Sequence, residues 1–572
     1  MSAPIRVAAA LHDAALRWIA DDPSPTDRAE LQNVLAGALG GSAADLGDLE
    51  DRMRAPLSFG TAGLRGPLRA GPAGMNLAVV RRAAAGIAAY LASNGSAESR
   101  PADPAGGTVG ASKIVIVGHD ARHRSAEFAH DAAQVLAAQG FRVMVAPGAL
   151  PTPVTAFAVR QLGAIAGLQV TASHNPPQDN GLKVYLAGGT QLVGPADSAI
   201  ETAIAAAGAA ISIDNSGTPE PWPDDLLADY IARAATLATG TTEKLRIAAT
   251  PLHGVGGETL VKALHLAGFT DVQIVPSQAA PDPDFPTVSF PNPEEPGATD
   301  QLLELAAEMD ADLAIANDPD ADRCSIGVKD RDGRWRMLSG DETGALLGDT
   351  VLSRVDPVVH PDPLVATTIV SSQLLGRIAA AHGARYDETL TGFKWIVRAG
   401  DGRGTGLVFG YEEALGLAVD PDAVRDKDGI SAAVLAADLA ATLKRAGRTM
   451  LDVLDDLAVA HGLHTTGAVS FRVRDLGQIT AWMTSLRADL PTTLLGEKID
   501  TATDLLPMTD GIRLATPRVR VVIRPSGTEP KLKCYLEIIS RVRSIADVPA
   551  ARSTAQVEMD RLRAEVSQMF GG

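Results

Sequence analysis

Cysteine is nearly missing from this chain of 572 residues, occurring only as Cys324 and Cys534. Two thiols without a Cys or His cluster around them exclude a disulfide framework and a zinc site of that type. Both are expected to be small packing residues in a protein of the reducing cytoplasm. Positive charge is also short: 51 Lys and Arg face 69 Asp and Glu, giving a formal charge of −18, which argues against nucleic acid and against an anionic membrane surface as partners. No apolar run approaches the roughly 20 residues a membrane helix needs, and the start, Met1-Ser2-Ala3-Pro4-Ile5-Arg6, lacks a secretory pattern. Lysine is the scarcer cation, eleven of the 51 basic residues. Five of the eleven, Lys183, Lys394, Lys427, Lys531 and Lys533, fall in or beside the loops described next. A solvated surface accounts for Lys244 and Lys444, whereas Lys394 stands between Phe393 and Trp395, flanks that can desolvate an amine and tune it for proton transfer.

What is present is concentrated in three loops. Thr171-Ala172-Ser173-His174-Asn175-Pro176-Pro177 follows the β-like Leu168-Gln169-Val170. The prolines stiffen it, and a rigid loop at a strand's end presents the Ser173 hydroxyl as a phosphoryl acceptor and donor. A hydrolase would use the same placement, but the Gly-x-Ser-x-Gly elbow is missing; a purely structural proline turn remains open on this motif alone. Asp318-Pro319-Asp320-Ala321-Asp322-Arg323 follows the apolar Leu313-Ala314-Ile315-Ala316. Three carboxylates at alternate positions of a solvent-facing loop repel one another unless a cation lies between them, and Mg²⁺ suits phosphate chemistry. An EF-hand loop counted from Asp318 would need Gly sixth and Glu twelfth, where this chain has Arg323 and Lys329; a plain acidic turn stays open. The third loop, Arg524-Pro525-Ser526-Gly527-Thr528-Glu529-Pro530-Lys531, follows a strand-like Val519 to Ile523. A guanidinium fork, two hydroxyls and a glycine that admits backbone amides make an anion cradle, although Ser-Gly-Thr is also ordinary turn chemistry.

With these loops in order, the chain resembles the α-D-phosphohexomutase superfamily of phosphoglucomutases and phosphomannomutases over nearly its whole length. Phe59 to Gly66, Val117 to Arg122, Gly340-Asp341-Glu342, Thr391 to Trp395 and Gly410 to Gly416 look like the family's remaining elements, in the family's order. Pro251-Leu252-His253-Gly254-Val255-Gly256 and Pro291 to Glu295 look most like the branch of bacterial phosphomannomutase-like proteins and animal glucose/pentose phosphomutases. The resemblance implies an α/β fold of three α/β domains with mixed sheets plus a smaller C-terminal α+β domain around a central cleft. It implies a mutase moving phosphate between C1 and C6 of a hexose, glucose or mannose, through phospho-Ser173 and a sugar bisphosphate. Mg²⁺ would lie among Ser173, Asp318, Asp320 and Asp322, with sugar 1,6-bisphosphate as activator. His174, Lys394 and Arg65 would serve the reaction, and Arg65, which does not readily deprotonate, is expected to orient. Arg323, Gly392, Glu412, Arg524, Ser526, Gly527, Thr528 and Lys531 would bind the phospho-sugar, and the protein would be a monomer or homodimer. One departure concerns the sugar loop, where hexose-specific relatives carry Glu, any residue, Ser. Here Glu412-Glu413 is followed by Ala414, a lost hydroxyl that keeps a pentose substrate in play. A bisphosphate synthase and a non-catalytic phospho-sugar-binding protein are the other readings.

Periodicity supports repeated α/β units. Lys113 to Val117 reads as a buried strand, Ala126 to Gln139 as a helix and Arg142 to Val145 as the next strand, and the pattern restarts at Lys244 and Leu364. From Ala468 an alternating strand, a helical stretch, further strands and a helix over Val548 to Met569 read as α+β. The expected domains are 1–225, 226–333, 334–455 and 456–572, with Ala43 to Glu50 as a loop between N-terminal helices and Ser93 to Ser112 as a mobile insertion.

Overall fold

The computed structural model describes residues 7–60, 63–94, 113–240, 243–473, 475–526 and 531–571. The chain forms two compact units, Met1–Cys324 with Asp420–Ala437, and Ser325–Val419 with Asp438–Gly572. In the first unit a mixed sheet runs in the order Leu64–Pro67, Asp179–Leu186, Ala166–Val170, Ile114–His119, Arg142–Val145, Glu220–Pro221. Its centre is parallel, with Ile114–His119 between Arg142–Val145 and Ala166–Val170; the neighbouring strand, Asp179–Leu186, returns antiparallel. Val115, Val117, Leu168, Val170, Leu182 and Val184 share one apolar core with Val80, Ile87, Phe128, Leu136 and Ile200 of the covering helices. Central parallel strands buried on both faces read as unbroken apolar runs, which is why their positions were legible.

A second parallel set in the same unit places Arg246–Thr250 between Asp271–Ile274 and Leu313–Ala316. Ser173 and Asp318 both lie beyond the carboxyl ends of central parallel strands, where open α/β sheets place ligands. At the N-terminus the structure corrects the expected loop over Ala43 to Glu50: Ala43–Met53 is a helix. Ser42 caps it by accepting from the Asp45 N–H at 3.2 Å, and Leu46, Leu49 and Met53 face a small core with Leu31 and Leu35. The acidic residues that made the stretch look like a loop lie on the opposite face, where Asp48 and Asp51 pair with Arg52 and Arg69. Residues 95–112 of the expected insertion lie outside the described residues.

In the second unit Leu364–Thr368 pairs in parallel with Arg385–Thr389 and Leu407–Glu412, and Gly416–Ala418 closes an antiparallel edge. The C-terminal sheet is antiparallel, ordered Leu463–Arg472, Lys531–Ser540, Val519–Pro525, Ile512–Ala515, Thr501–Asp504. Its core joins Leu514, Val521, Ile523 and Cys534 to Ile479 and Met483 of one helix and Met559 and Leu562 of the last. Both cysteines are buried and unpaired, Cys534 as part of that core. The architecture is thus three α/β domains followed by a smaller C-terminal domain.

Candidate active site

Ser173 adopts φ +53°, a left-handed conformation rare outside glycine. Its N–H donates to Thr171 Oγ1 at 2.8 Å. Its hydroxyl donates to Asp318 Oδ2 at 2.9 Å and lies 3.1 Å from His174 Nδ1. Burial, with the Arg323 and Arg65 guanidinium groups nearby, holds His174 well below the usual imidazole range, so at neutral pH its ring is uncharged. Arg65 lies on the edge strand, in register with Gly181. A Cβ at Gly181 would fall 2.5 Å from Leu64 O and 2.8 Å from Arg65 Cγ, so the bare backbone there admits the arginine. Arg65 Nη1 reaches Asn175 Oδ1 at 3.4 Å, and its buried Nε has no partner among the described residues.

The acidic loop is not solvent-facing as the sequence suggested: Asp318, Asp320 and Asp322 are each fully buried. Ala321, at φ +55°, folds the loop so that one oxygen from each aspartate lies within 4.8 Å of the others. Lys183, itself buried, donates to Asp320 Oδ2 at 2.7 Å and Asp322 Oδ2 at 2.5 Å. Thr152 Oγ1 donates to the same oxygen of Asp320 at 2.5 Å, and Lys427 Nζ stands 3.2 Å from Asp322 Oδ2. Burial raises every carboxyl in the loop, yet Lys183, Lys427 and Arg323 hold Asp322 well below the usual range. Asp318, facing its two acidic neighbours, is pushed well above it by burial and repulsion. The other oxygens of Asp320 and Asp322 are buried without a hydrogen-bond partner among the described residues. Orphaned carboxylate oxygens around one point are expensive alone and suit a hard divalent cation, so the donor set fits a metal.

The turn at Pro251 to Gly256 props the acidic loop from behind. Val255 N–H donates to Pro319 O at 2.8 Å, and a Cβ on Gly254 would lie 2.3 Å from Pro319 Cα. His253, at φ +58°, is buried and bonds Thr287 Oγ1 at 2.8 Å, a structural position. Glu294, from the second branch-like stretch, pairs with Arg323 at 3.2 Å. Lys183 and Lys427 stood out only as lysines near motifs; the structure makes them the counter-charges of the acidic loop.

The second unit carries the remaining candidates. Gly392, at φ +110°, precedes a short helix, Phe393–Ile396. Phe393 is buried with Ile396 and Leu407, so this aromatic flank anchors the Lys394 loop in the core. Glu412 ends its strand. Glu413 is committed elsewhere, accepting from Ser371 Oγ at 2.9 Å and Thr368 Oγ1 at 3.1 Å. In Gly340-Asp341-Glu342, Asp341 accepts from Ser372 N–H at 2.7 Å and Tyr411 O–H at 3.0 Å, while Glu342 completes a helix capping box with Ser339; this motif is structural. Arg524 and Lys533 are cross-strand neighbours, and Ser526 N–H closes the hairpin on Lys531 O at 2.8 Å. Arg524 Nε is buried without a partner among the described residues. Gly527 and Thr528 lie outside the described residues.

Comparison with known proteins agrees in order and extent. Residues 56–210, 227–333 and 339–459 match the phosphoglucomutase/phosphomannomutase alpha/beta/alpha domains I, II and III, and 495–550 match the C-terminal domain of that family. A Haemophilus influenzae protein named "Probable phosphomannomutase" is 40% identical over 480 residues, 81% of this chain and 93% of its own. A Schizosaccharomyces pombe protein named "Probable phosphoribomutase" is 34% identical over 580 residues, 93% and 94% of the two chains. The crystal structure of a Burkholderia thailandensis phosphoglucomutase/phosphomannomutase family protein shares the fold, with a TM-score of 0.64 at 21% identity over 88% of this chain and 97% of that one. Four domain models met in order along the chain, with a relative 40% identical over 81% of it, show an isomerase of the phosphomutase type: the chain belongs to the phosphoglucomutase/phosphomannomutase family of the α-D-phosphohexomutase superfamily.

Proposed function

We propose that the protein interconverts the 1-phosphate and 6-phosphate of a hexose, glucose and/or mannose, by lending a phosphoryl group from Ser173 and recovering another. The observation that carries this is the Ser173 hydroxyl held 2.9 Å from Asp318 within a buried acidic triad. A phosphate cannot cross from C1 to C6 in one rigid reach. A resting phospho-Ser173 therefore gives its phosphoryl group to the free hydroxyl of the sugar monophosphate: the Ser173 Oγ–P bond breaks and the sugar O–P bond forms. The sugar hydroxyl proton passes to a base, with His174 or Lys394 as candidates, and the departing Ser173 Oγ takes up a proton, so that the serine is left as a hydroxyl. The bisphosphate reorients and its other phosphoryl group returns to Ser173 by the reverse step.

Asp318, Asp320 and Asp322, with an oxygen on Ser173, would hold Mg²⁺, which when bound supplies Lewis-acid charge neutralisation. Neutral His174 can accept the Ser173 hydroxyl proton at Nδ1. Arg65 and Arg323 keep positive charge beside the serine; Arg65 orients. Arg524, Ser526, Gly527, Thr528 and Lys531 would grip the phosphate that is not reacting, while Gly392 and Glu412 serve the sugar. The segments 1–225, 226–333, 334–455 and 456–572 would act as the domains carrying the serine, metal, sugar and phosphate loops. Two buried, unpaired cysteines support a cytoplasmic location.

Ala414 after Glu412-Glu413, together with the Schizosaccharomyces pombe relative, favours a phosphopentomutase as the second reading. Glucose, mannose, ribose and deoxyribose 1-phosphates assayed with Mg²⁺ and a trace of hexose bisphosphate separate the two. Higher kcat/KM on a hexose is expected; a higher value on a pentose establishes the second reading, and no turnover on any of them removes the mutase.

A further inference from the structure

The Ser173 loop is held by one side chain that the reaction scheme does not use. Arg122 follows the central strand Ile114–His119. Its guanidinium is buried, at 1% exposure. Nη2 donates to Ser173 O and Asn175 O, both at 2.5 Å. Nη1 donates to Pro176 O at 2.8 Å and Asp179 O at 3.2 Å. Four carbonyls of the loop and its exit thus converge on one fork. The charge is balanced by Asp120, 3.3 Å from Nε, and Asp120 is itself fixed by the Arg122 N–H at 3.0 Å and the Ser125 hydroxyl at 2.6 Å. The guanidinium also lies 4.9 Å from the centre of the Phe285 ring.

Ser173 needs such a hold. A non-glycine residue at positive φ is strained and persists only where its surroundings over-determine it. Here the Ser173 N–H is fixed by Thr171 and its carbonyl by Arg122, so both peptide planes are pinned and the direction of the Cα–Cβ bond that carries the Oγ is set. We infer that Arg122 is a positioning residue for the nucleophile: it fixes the strained backbone of Ser173 so that the Oγ, bare or phosphorylated, keeps its aim at the aspartate loop. The inference rests on the reading of Ser173 as the group that carries the phosphoryl. Charge alone cannot do this task. Lysine would keep the pairing with Asp120, but its three donors radiate from one point and cannot span four carbonyls as a planar fork does.

The test compares Arg122→Lys with the wild-type protein after both are phosphorylated with a hexose 1,6-bisphosphate and freed of excess. Three quantities are read: the thermal midpoint, as the check that the variant is folded, the ³¹P chemical shift of the protein phosphate, and the steady-state kcat and KM for a hexose monophosphate. The expected result is a displaced or broadened ³¹P resonance and kcat lowered roughly 10²-fold, as a misplacement of about 1 Å produces, with KM for the monophosphate within about twofold, because binding groups outside this loop are intact. If Arg122→Lys does not fold, Arg122→Gln combined with Asp120→Asn keeps donors without a lone buried charge and is read in the same way. A wild-type ³¹P signal with wild-type kcat overturns the inference, as does a deficit confined to KM. Ser173→Ala, run alongside, separates the two layers. If Ser173→Ala remains fully active, the serine reading itself falls; if Ser173 carries the phosphate and the Arg122 variant behaves as wild type, only the positioning role falls.

Discussion

Lys183 offers the sharpest test of how the acidic loop is held together. Replacing it with Met removes one ammonium that donates to Asp320 at 2.7 Å and to Asp322 at 2.5 Å, all three side chains being out of solvent. The losses are unequal. Asp322 keeps Lys427 at 3.2 Å, while Asp320 keeps the neutral Thr152 hydroxyl at 2.5 Å on that oxygen. Most of the destabilisation therefore falls on Asp320, and removing one partner of a buried ion pair costs about 3–5 kcal/mol. In chelator the midpoint of Lys183→Met should fall by roughly 6–20 °C, since each kcal/mol moves a sizeable domain by about 2–4 °C.

The same variant should respond more strongly to a divalent cation. Met at 183 leaves the triad more negative and releases two oxygens, so Mg²⁺ should bind at least about tenfold more tightly, adding about 1.4 kcal/mol to the stabilisation at a concentration above both dissociation constants. Scanning calorimetry at one scan rate, with chelator and with millimolar Mg²⁺, gives four midpoints. A larger Mg²⁺ increment in Lys183→Met than in wild type is the expected result. Equal increments, or a midpoint in chelator unchanged from wild type, would refute the idea that Lys183 occupies part of the metal's electrostatic role. Activity is deliberately not the readout, because a lysine this near the serine can affect turnover for other reasons.

Ser173→Ala should abolish phosphate incorporation from a hexose bisphosphate, seen as loss of the phosphorylated species in the intact mass. Asp320→Asn should lower turnover roughly 10²-fold, with part of the loss recovered at high Mg²⁺; wild-type turnover in chelator would remove the metal from the scheme. Arg524→Ala should weaken apparent affinity for the 1-phosphate and the 6-phosphate alike, because losing a charged fork to phosphate typically costs a few kcal/mol, and an effect on only one of them counts against a shared phosphate grip. Burial, aided by nearby Asp27 and opposed by the Ser24 N–H, raises Asp22 from 3.8 to about 6, so the folded state binds the proton more tightly and stability falls as pH rises through about 4 to 6. Asp22→Asn should therefore raise the midpoint by an amount corresponding to at most about 3 kcal/mol near pH 7.5, and by almost nothing near pH 4; a difference independent of pH would show that Asp22 is not the cause.

The parts of the site that sequence revealed are those in which chemistry and chain order coincide. Ser173 and the three aspartates each occupy one short loop after an apolar strand, so local pattern alone locates them. Lys183 could be seen as a lysine but not as a counter-charge, because its place depends on the antiparallel register that sets it opposite Gln169. Lys427 is harder still: Asp420–Ala437 belongs to the first unit although the chain on both sides of it belongs to the second, and no local periodicity records such a return. The misplaced exposure of the acidic loop has the same origin. A run of aspartates looks solvated when the lysines that compensate it lie 135 or more positions away in the chain, or about 100 residues further on. Arg122 was visible as part of a motif, yet its four carbonyl partners become evident only in three dimensions.

Local charge, not the total, decides whether an acidic protein can hold a phosphorylated sugar. The chain carries a formal −18, a long-range potential unfavourable to an anionic substrate. Around Ser173, however, Arg65, Arg323, Lys183 and Lys427 face Asp318, Asp320 and Asp322, all of them felt by one another's ionisation. Glu294 beside Arg323 and Asp426 beside Lys427 bring the acidic groups to five against these four cations, close to balance, in a place from which water is largely excluded and each charge acts more strongly. Phosphorylating Ser173, as proposed, would bring about two negative charges, and a divalent cation held by the triad would offset them. On the proposed mechanism the near balance would then persist through the phosphoenzyme, so an incoming phosphate would meet far less repulsion there than the total charge implies. The scarce lysines are placed where this compensation is needed: two of the eleven are spent on the buried acidic loop, leaving the arginines Arg65 and Arg323 to face the serine.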